Sequence, residues 1–306
     1  MTRREIRADT ELTLRMFFTW FLLAGVYAAF VALLFWAGVN FIGIAIVAAL
    51  LLGVQFFFSD RLVVWSTRAK EVSAQEEPHL HATVERLAAA ANLPKPKVYV
   101  MNADIPNAFA TGRNPKNSLI AVTRGLMRRL DQPELEAVLA HELTHVKNRD
   151  VLVLTLASFF ATIAAFLMRM FFWSSLFGGF GGGSGDRRGG GQAAAMFMVV
   201  WIGTIVIYFL AQLLIMALSR YREYAADRGG AILTGAPSQL ASALMKISGS
   251  IARIPDKDLR EVASANAFFI IPAIKGGDIV NLFATHPPVE KRIERLRLMQ
   301  RQLEGL

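Results

Sequence analysis

From Met16 to Ser59 the chain carries no charged side chain. A helix that crosses a bilayer needs about 20 apolar residues, so this stretch predicts two such helices joined by a tight turn. The turn belongs at Gly38-Val39-Asn40, which gives approximate spans of Met16–Ala37 and Phe41–Phe58. The first run is too long for a cleaved signal and a second span follows at once, so an uncleaved anchor is expected. Two further apolar runs, Val151–Met168 and Ala193–Leu218, predict a second hairpin. The shorter of them ends at Arg169, whose long stem can carry its charge to the interface. Between them the run 178–191, rich in glycine, reads as a flexible linker with no packed structure of its own.

The remaining segments alternate between helical and strand periodicity. Glu76–Ala91 has a helical pattern opened by Pro78 and closed near Asn92, with Pro94 beyond. Lys97–Met101 and Leu119–Thr123 alternate like strands, with a polar turn around Gly112–Asn117 between them. Asp131 then caps a helix that begins at Pro133 and runs through Leu135, Val138, Leu139, Leu143 and Val146 at helical spacing. The expected architecture is α+β, mostly helical, combined with about four transmembrane helices in two hairpins. The expected division is 1–15, a hairpin over 16–59, a soluble part over 60–150, a second hairpin over 151–218, and a second soluble part over 219–306.

Composition strengthens the membrane assignment. Of the residues 54% are hydrophobic and 19% charged, against about 25% charged in soluble domains, and mean hydropathy is +0.40. The net charge of +9 invites a nucleic-acid reading. However, the basic residues crowd the ends of the apolar segments, where anionic headgroups lie, and no nucleic-acid motif accompanies them. Their distribution also orients the chain. Arg3, Arg4, Arg7 and Arg15 precede the first span, Arg61, Arg68 and Lys70 follow the second, and Arg220, Arg222 and Arg228 follow the fourth. The positive-inside rule therefore expects the N-terminus and both soluble parts in the cytoplasm of a multi-pass inner-membrane protein. With no cysteine in the chain, any metal must be held by histidines and carboxylates.

His141-Glu142-Leu143-Thr144-His145 lies inside the helix that Asp131 caps. Positions four apart share a helix face, so both imidazoles can meet one metal ion about 2 Å from each nitrogen. Glu142 can reach the attacking water from the side, take its proton and pass it to the departing amine. A catalytic zinc asks for a third protein ligand. His145 lies six residues before Val151 and Glu223 five after Leu218, so both sit within about 9 Å of the start or end of an apolar run. Helices of an antiparallel hairpin pack about 8–10 Å apart, which selects Glu223 as the third ligand. Asp227, four residues on, could accept a hydrogen bond from a ligand histidine. The competing reading has Glu223 and Asp227 answering Arg222 and Arg228 on a solvated face. His79 and His81 diverge on their helix and are expected at the surface.

Four stretches resemble the HtpX family, the bacterial membrane-bound heat-shock zinc proteases related to the CAAX prenyl proteases. They are Asn107–Gly112, His141–His145 with Asn148 and Asp150, Arg222–Asp227, and Leu282–Pro288 leading into Lys291-Arg292-Ile293. The likeness covers nearly the whole chain, although the stretch before Met16 is longer than the family pattern. It implies a zincin-like metalloprotease domain with about one zinc ion per chain, held by His141, His145 and Glu223, and Glu142 as the catalytic residue. It further implies that Asn107, Ala108, Phe109 and Ala110 form an edge strand that pairs with substrate, where the residues alone suggest a turn after Pro106. His286 would stabilise the oxyanion or gate the cleft. The implied role is proteolytic quality control of misfolded or damaged membrane proteins under stress, with membrane-protein or unfolded substrates, the lipid bilayer, and other membrane proteases or quality-control factors as partners. Two other classes remain open to test: a non-catalytic adaptor or holdase that keeps a metal site, and a transporter. The lack of ionisable residues deep in the first, second and fourth spans argues against transport.

Overall fold

A computed structural model describes residues 6, 8–39, 41–176, 190–251 and 286–305. The glycine-rich linker over 178–189 and the motif residues 282–285 therefore lie outside the described residues. In chain order the elements are α1 (Thr10–Trp36), α2 (Phe41–Thr67), β1 (Lys70–Glu71), α3 (Pro78–Ala90), β2 (Lys97–Met101), β3 (Ala108–Gly112), β4 (Ser118–Thr123), α4 (Arg124–Arg129), α5 (Gln132–Asn148), α6 (Asp150–Leu176), α7 (Gly190–Thr234), α8 (Pro237–Ile251) and α9 (Val289–Glu304). Contacts divide the chain into two compact units. One comprises 1–14, 56–153 and 219–306, the other 15–55 and 154–218.

The second unit is built from the apolar helices. Among the described residues three helices, Thr10–Trp36, Asp150–Trp173 and Ala195–Thr234, are long and apolar enough to cross a membrane. The pair Ile42–Phe58 and Asp60–Thr67, bent by 61°, makes a fourth if counted as one span. Phe30, Leu34, Ile163, Ala164, Leu167 and Val200 form the inner cluster. Phe21, Phe35, Leu50, Ile202 and Phe209 point outward and stay exposed. Apolar side chains outside as well as inside are what a lipid solvent permits and water penalises.

In the first unit a four-stranded sheet has the order β1-β2-β4-β3. β2 and β4 are parallel, with Lys97 opposite Leu119 and Met101 opposite Thr123. β3 runs antiparallel to β4, with Ala108 opposite Val122 and Gly112 opposite Ser118. All six residues of β4 are buried, because both its faces are covered. Ile120 and Val122 join the core that holds Val98, Leu139 and Leu143, while Leu119 and Ala121 pack with Val63 and Phe109.

Several boundaries differ from those the sequence suggests. Ala108–Gly112 is the edge strand that the family resemblance implies, not the turn that its residues alone suggest, and it begins one residue later and reaches Gly112. α2 does not stop at Phe58 but continues to Thr67, because Val63 is buried against the sheet. α7 runs unbroken from Gly190 past Leu218 to Thr234, so Gly190 and Gly191 are helical rather than linker.

Candidate metal centre

The helix that carries the central motif has a strong start. Asp131 and Glu134 make a reciprocal capping box at the N-terminus of α5, which satisfies two otherwise orphaned backbone donors. Glu134 is itself buried and accepts hydrogen bonds from Ser242 Oγ at 2.6 Å and Lys246 Nζ at 2.5 Å, joining α5 to α8. From Leu135 to Thr144 only Glu136 escapes burial, so His141 and Glu142 face the interior.

His141 Nε2 and His145 Nε2 lie 3.1 Å apart. Glu223 brings Oε1 to 3.3 Å from His145 Nε2 and Oε2 to 3.7 Å from His141 Nε2. One donor atom from each of the three residues falls within 4.8 Å of the others. Donors bound to one tetrahedral ion at zinc–nitrogen or zinc–oxygen distances are about 3.3–3.5 Å apart. Two imidazole nitrogens and a carboxylate at about this spacing therefore fit zinc. Glu223 and Asp227 are 6% and 1% exposed, which excludes the reading in which they answer arginines on a solvated face.

α7 can bring Glu223 this close because Gly229 and Gly230 face α5. A Cβ on Gly230 would stand 3.0 Å from the His141 backbone nitrogen.

A second layer orients the histidines. His141 Nδ1 is 3.0 Å from Asp227 Oδ1, and His145 Nδ1 is 2.6 Å from Asp150 Oδ2. A carboxylate at Nδ1 holds the proton there and leaves Nε2 free to ligate. Arg292, 1% exposed on α9, donates to Asp227 through Nε at 2.9 Å and Nη2 at 2.7 Å, and its Nη1 lies 3.3 Å from Glu223 Oε2. Asp227 is expected beside a ligand histidine; Asp150, Arg222 and Arg292 stand in the motifs that carry the family resemblance, but the sequence assigns them no contact with the histidines. His286 Nδ1 lies 3.2 Å from Glu223 Oε2. His79 is exposed, and His81 Nε2 sits 2.9 Å from the Val72 carbonyl.

Glu142 is 5% exposed, and burial pushes its carboxyl up to about 7. Its Oε2 accepts a hydrogen bond from the Ala110 backbone N–H at 2.9 Å. Ala110 lies in β3, so the carboxylate next to the His141–His145–Glu223 group is also tied to the sheet's edge.

Residues 74–300 match Peptidase family M48. The chain belongs to this family. It is 57% identical over 303 residues to the protease HtpX homolog of Moorella thermoacetica, covering 99% of each chain. It is 51% identical to the protease HtpX homolog 2 of Methanosarcina mazei, covering 98% of this chain and 99% of that one. Among solved structures, S. mikatae Ste24p shares the fold with a TM-score of 0.57 at 18% identity, covering 94% of this chain and 67% of that one. M48 enzymes are zinc-dependent metalloproteases, and the His-His-Glu group of this member is a set that can hold the ion. With its apolar helices, the chain is a multi-pass membrane metalloprotease.

Proposed function

We propose that the enzyme is an endopeptidase that cuts extended cytoplasmic segments of misfolded or damaged membrane proteins as part of stress-related quality control. The observation that carries this reading is the convergence of His141, His145 and Glu223 beside a buried glutamate bonded to an edge strand. In this reading those three residues hold zinc, which when bound polarises the scissile carbonyl and acidifies the attacking water.

The chain's own groups do the rest. Glu142 accepts the water's proton on its carboxylate and returns it to the departing amine nitrogen. Its desolvated site suits a base that must also act as an acid near neutral pH. In the antiparallel register with β4, successive residues of β3 alternate in the side to which their amides point. The Ala110 N–H is directed at Glu142, so Ala108, Ala110 and Gly112 present main-chain groups to the free edge. An extended chain can add there as a further strand, which gives sequence-tolerant recognition along Ala108–Gly112 and suits unfolded substrates, whereas Asn107 has both main-chain groups bonded to Thr123. His286, 3.2 Å from Glu223, is better placed to steady that ligand than to meet an oxyanion.

Segments 1–15, 60–150 and 219–306 are proposed to lie in the cytoplasm, with hairpins over 16–59 and 151–218 in the bilayer. The arginines and lysines that flank the apolar runs support this side. The test is cleavage of a membrane-protein substrate by purified enzyme, with chelator and zinc add-back. Glu142→Gln is expected to lose about 10²–10⁴-fold in rate while retaining zinc. Equal cleavage by wild type and variant would sink the proposal.

A further inference from the structure

We infer that Asp150 and Arg222 are positioning residues for His145, forming a relay that sets the direction of this imidazole and ties it to Glu223. The inference rests on the reading of His145 and Glu223 as zinc ligands.

The relay begins at a break between helices. Arg149 caps α5 in the left-handed conformation, φ 55° and ψ 43°, and donates its N–H to the His145 and Val146 carbonyls. Residues five apart on an unbroken helix are about 140° apart in direction and cannot face each other. The single left-handed residue reverses this, so Asp150 returns its carboxylate to 2.6 Å from His145 Nδ1. A carboxylate only 6% exposed is costly unless it is paired. Arg222, 8% exposed, supplies the partner in an ion pair with Asp150. The same guanidinium donates through Nη2 to the Asn148 carbonyl at 3.0 Å, one of the terminal carbonyls of α5 that lack a helical donor.

Arg222 immediately precedes Glu223. The backbone that carries the guanidinium therefore also carries the third ligand, so the distance between His145 and Glu223 is set partly by the Asp150–Arg222 pair. His141 also has a carboxylate at Nδ1, that of Asp227, and a guanidinium paired with it, that of Arg292, which in addition lies 3.4 Å from His141 Nε2. A pair that served only to join helices would have no need of a carboxylate oxygen on the ring nitrogen opposite the ligating one.

The experiment uses full-length protein in detergent and measures zinc affinity by competition with a chromogenic chelator, alongside thermal unfolding of the metal-free form. Asp150→Asn is expected to weaken zinc binding about 10–100-fold. The double variant Asp150→Asn with Arg222→Met removes both buried charges together. It should unfold at a higher temperature than Asp150→Asn alone and still bind zinc weakly. Recovery of zinc affinity along with stability would overturn the relay, as would wild-type affinity in Asp150→Asn. Arg222→Lys keeps the charge without the planar fork; it should fold and take up cobalt(II), with visible absorption bands shifted from wild type. Unchanged bands would also overturn the relay. Failure of the wild type itself to bind zinc would instead remove the metal reading on which the relay rests.

Discussion

Glu142 shows how much of this site depends on the removal of water from single side chains. Burial lifts its carboxyl from 4.5 to about 7, whereas a divalent cation beside it would draw it down again. A base must be ionised to act, so activity is lost as pH falls through the group's value in the loaded enzyme. The expectation is an acid limb in kcat/KM with an apparent pKa between 4.5 and about 7; a profile flat across that range would count against Glu142 as the base. Glu223 is expected to matter more for zinc than any outer-layer group. Glu223→Ala should weaken zinc binding by more than the about 10–100-fold typical of an outer-shell change, as measured by chelator competition. The convergence of His141 and His145 was legible because residues four apart on a capped helix share a face. Asp150 was not. Its spacing of five from His145 points away on a continuous helix, and nothing in Lys147-Asn148-Arg149 announces that Arg149 adopts φ 55°. Arg292 stood out only as part of a motif resembling the family; its contacts were hidden, since its partners lie 65 and 69 positions back in the chain.

Whole elements were legible where periodicity ran long. α5 matches its expected start because the Asp131–Glu134 box lies within four residues. β3 was not legible from its own residues. Ala108-Phe109-Ala110-Thr111-Gly112 has little β-branched character, and its identity comes from pairing with β4, a tertiary effect that local propensity does not carry. The continuation of α7 past the apolar run likewise depends on what lies opposite it. α5 and α7 meet through glycine. An alanine at Gly230 would place its Cβ 3.0 Å from the His141 nitrogen, a backbone atom that cannot swing aside. The overpacking should cost about 1–3 kcal/mol, against roughly 1 kcal/mol recovered from better helix propensity. Gly230→Ala is therefore expected to lower the unfolding temperature in detergent and to weaken zinc binding, because Glu223 rides on the same helix. A variant that is stabilised and fully metallated would show that the two helices do not approach as closely as described.

The catalytic unit is assembled from three separate lengths of chain, with apolar hairpins inserted between them. His141, His145 and Glu223, the three residues proposed to hold zinc, belong to this one unit, although the second hairpin intervenes between His145 and Glu223. The two lengths that bear them must then end on the same side of the bilayer, so the second hairpin, which lies between them, must cross it an even number of times or not at all. A cysteine-free chain lends itself to a direct test of topology, since every introduced thiol is the only one present. Ala37→Cys, in the first turn between spans, and Ser184→Cys, in the glycine-rich stretch, are expected to react in intact cells with a thiol reagent that does not cross membranes. Lys116→Cys and Arg301→Cys, both exposed positions of the catalytic unit, should react only after the membrane is permeabilised. Labelling of Lys116→Cys and Arg301→Cys in intact cells would invert the proposed orientation and move the substrates to the other face. Labelling of only one of the two in intact cells would be harder to accommodate. It would put parts of a single buried zinc site on opposite sides of a membrane, and would mean that one hairpin crosses an odd number of times.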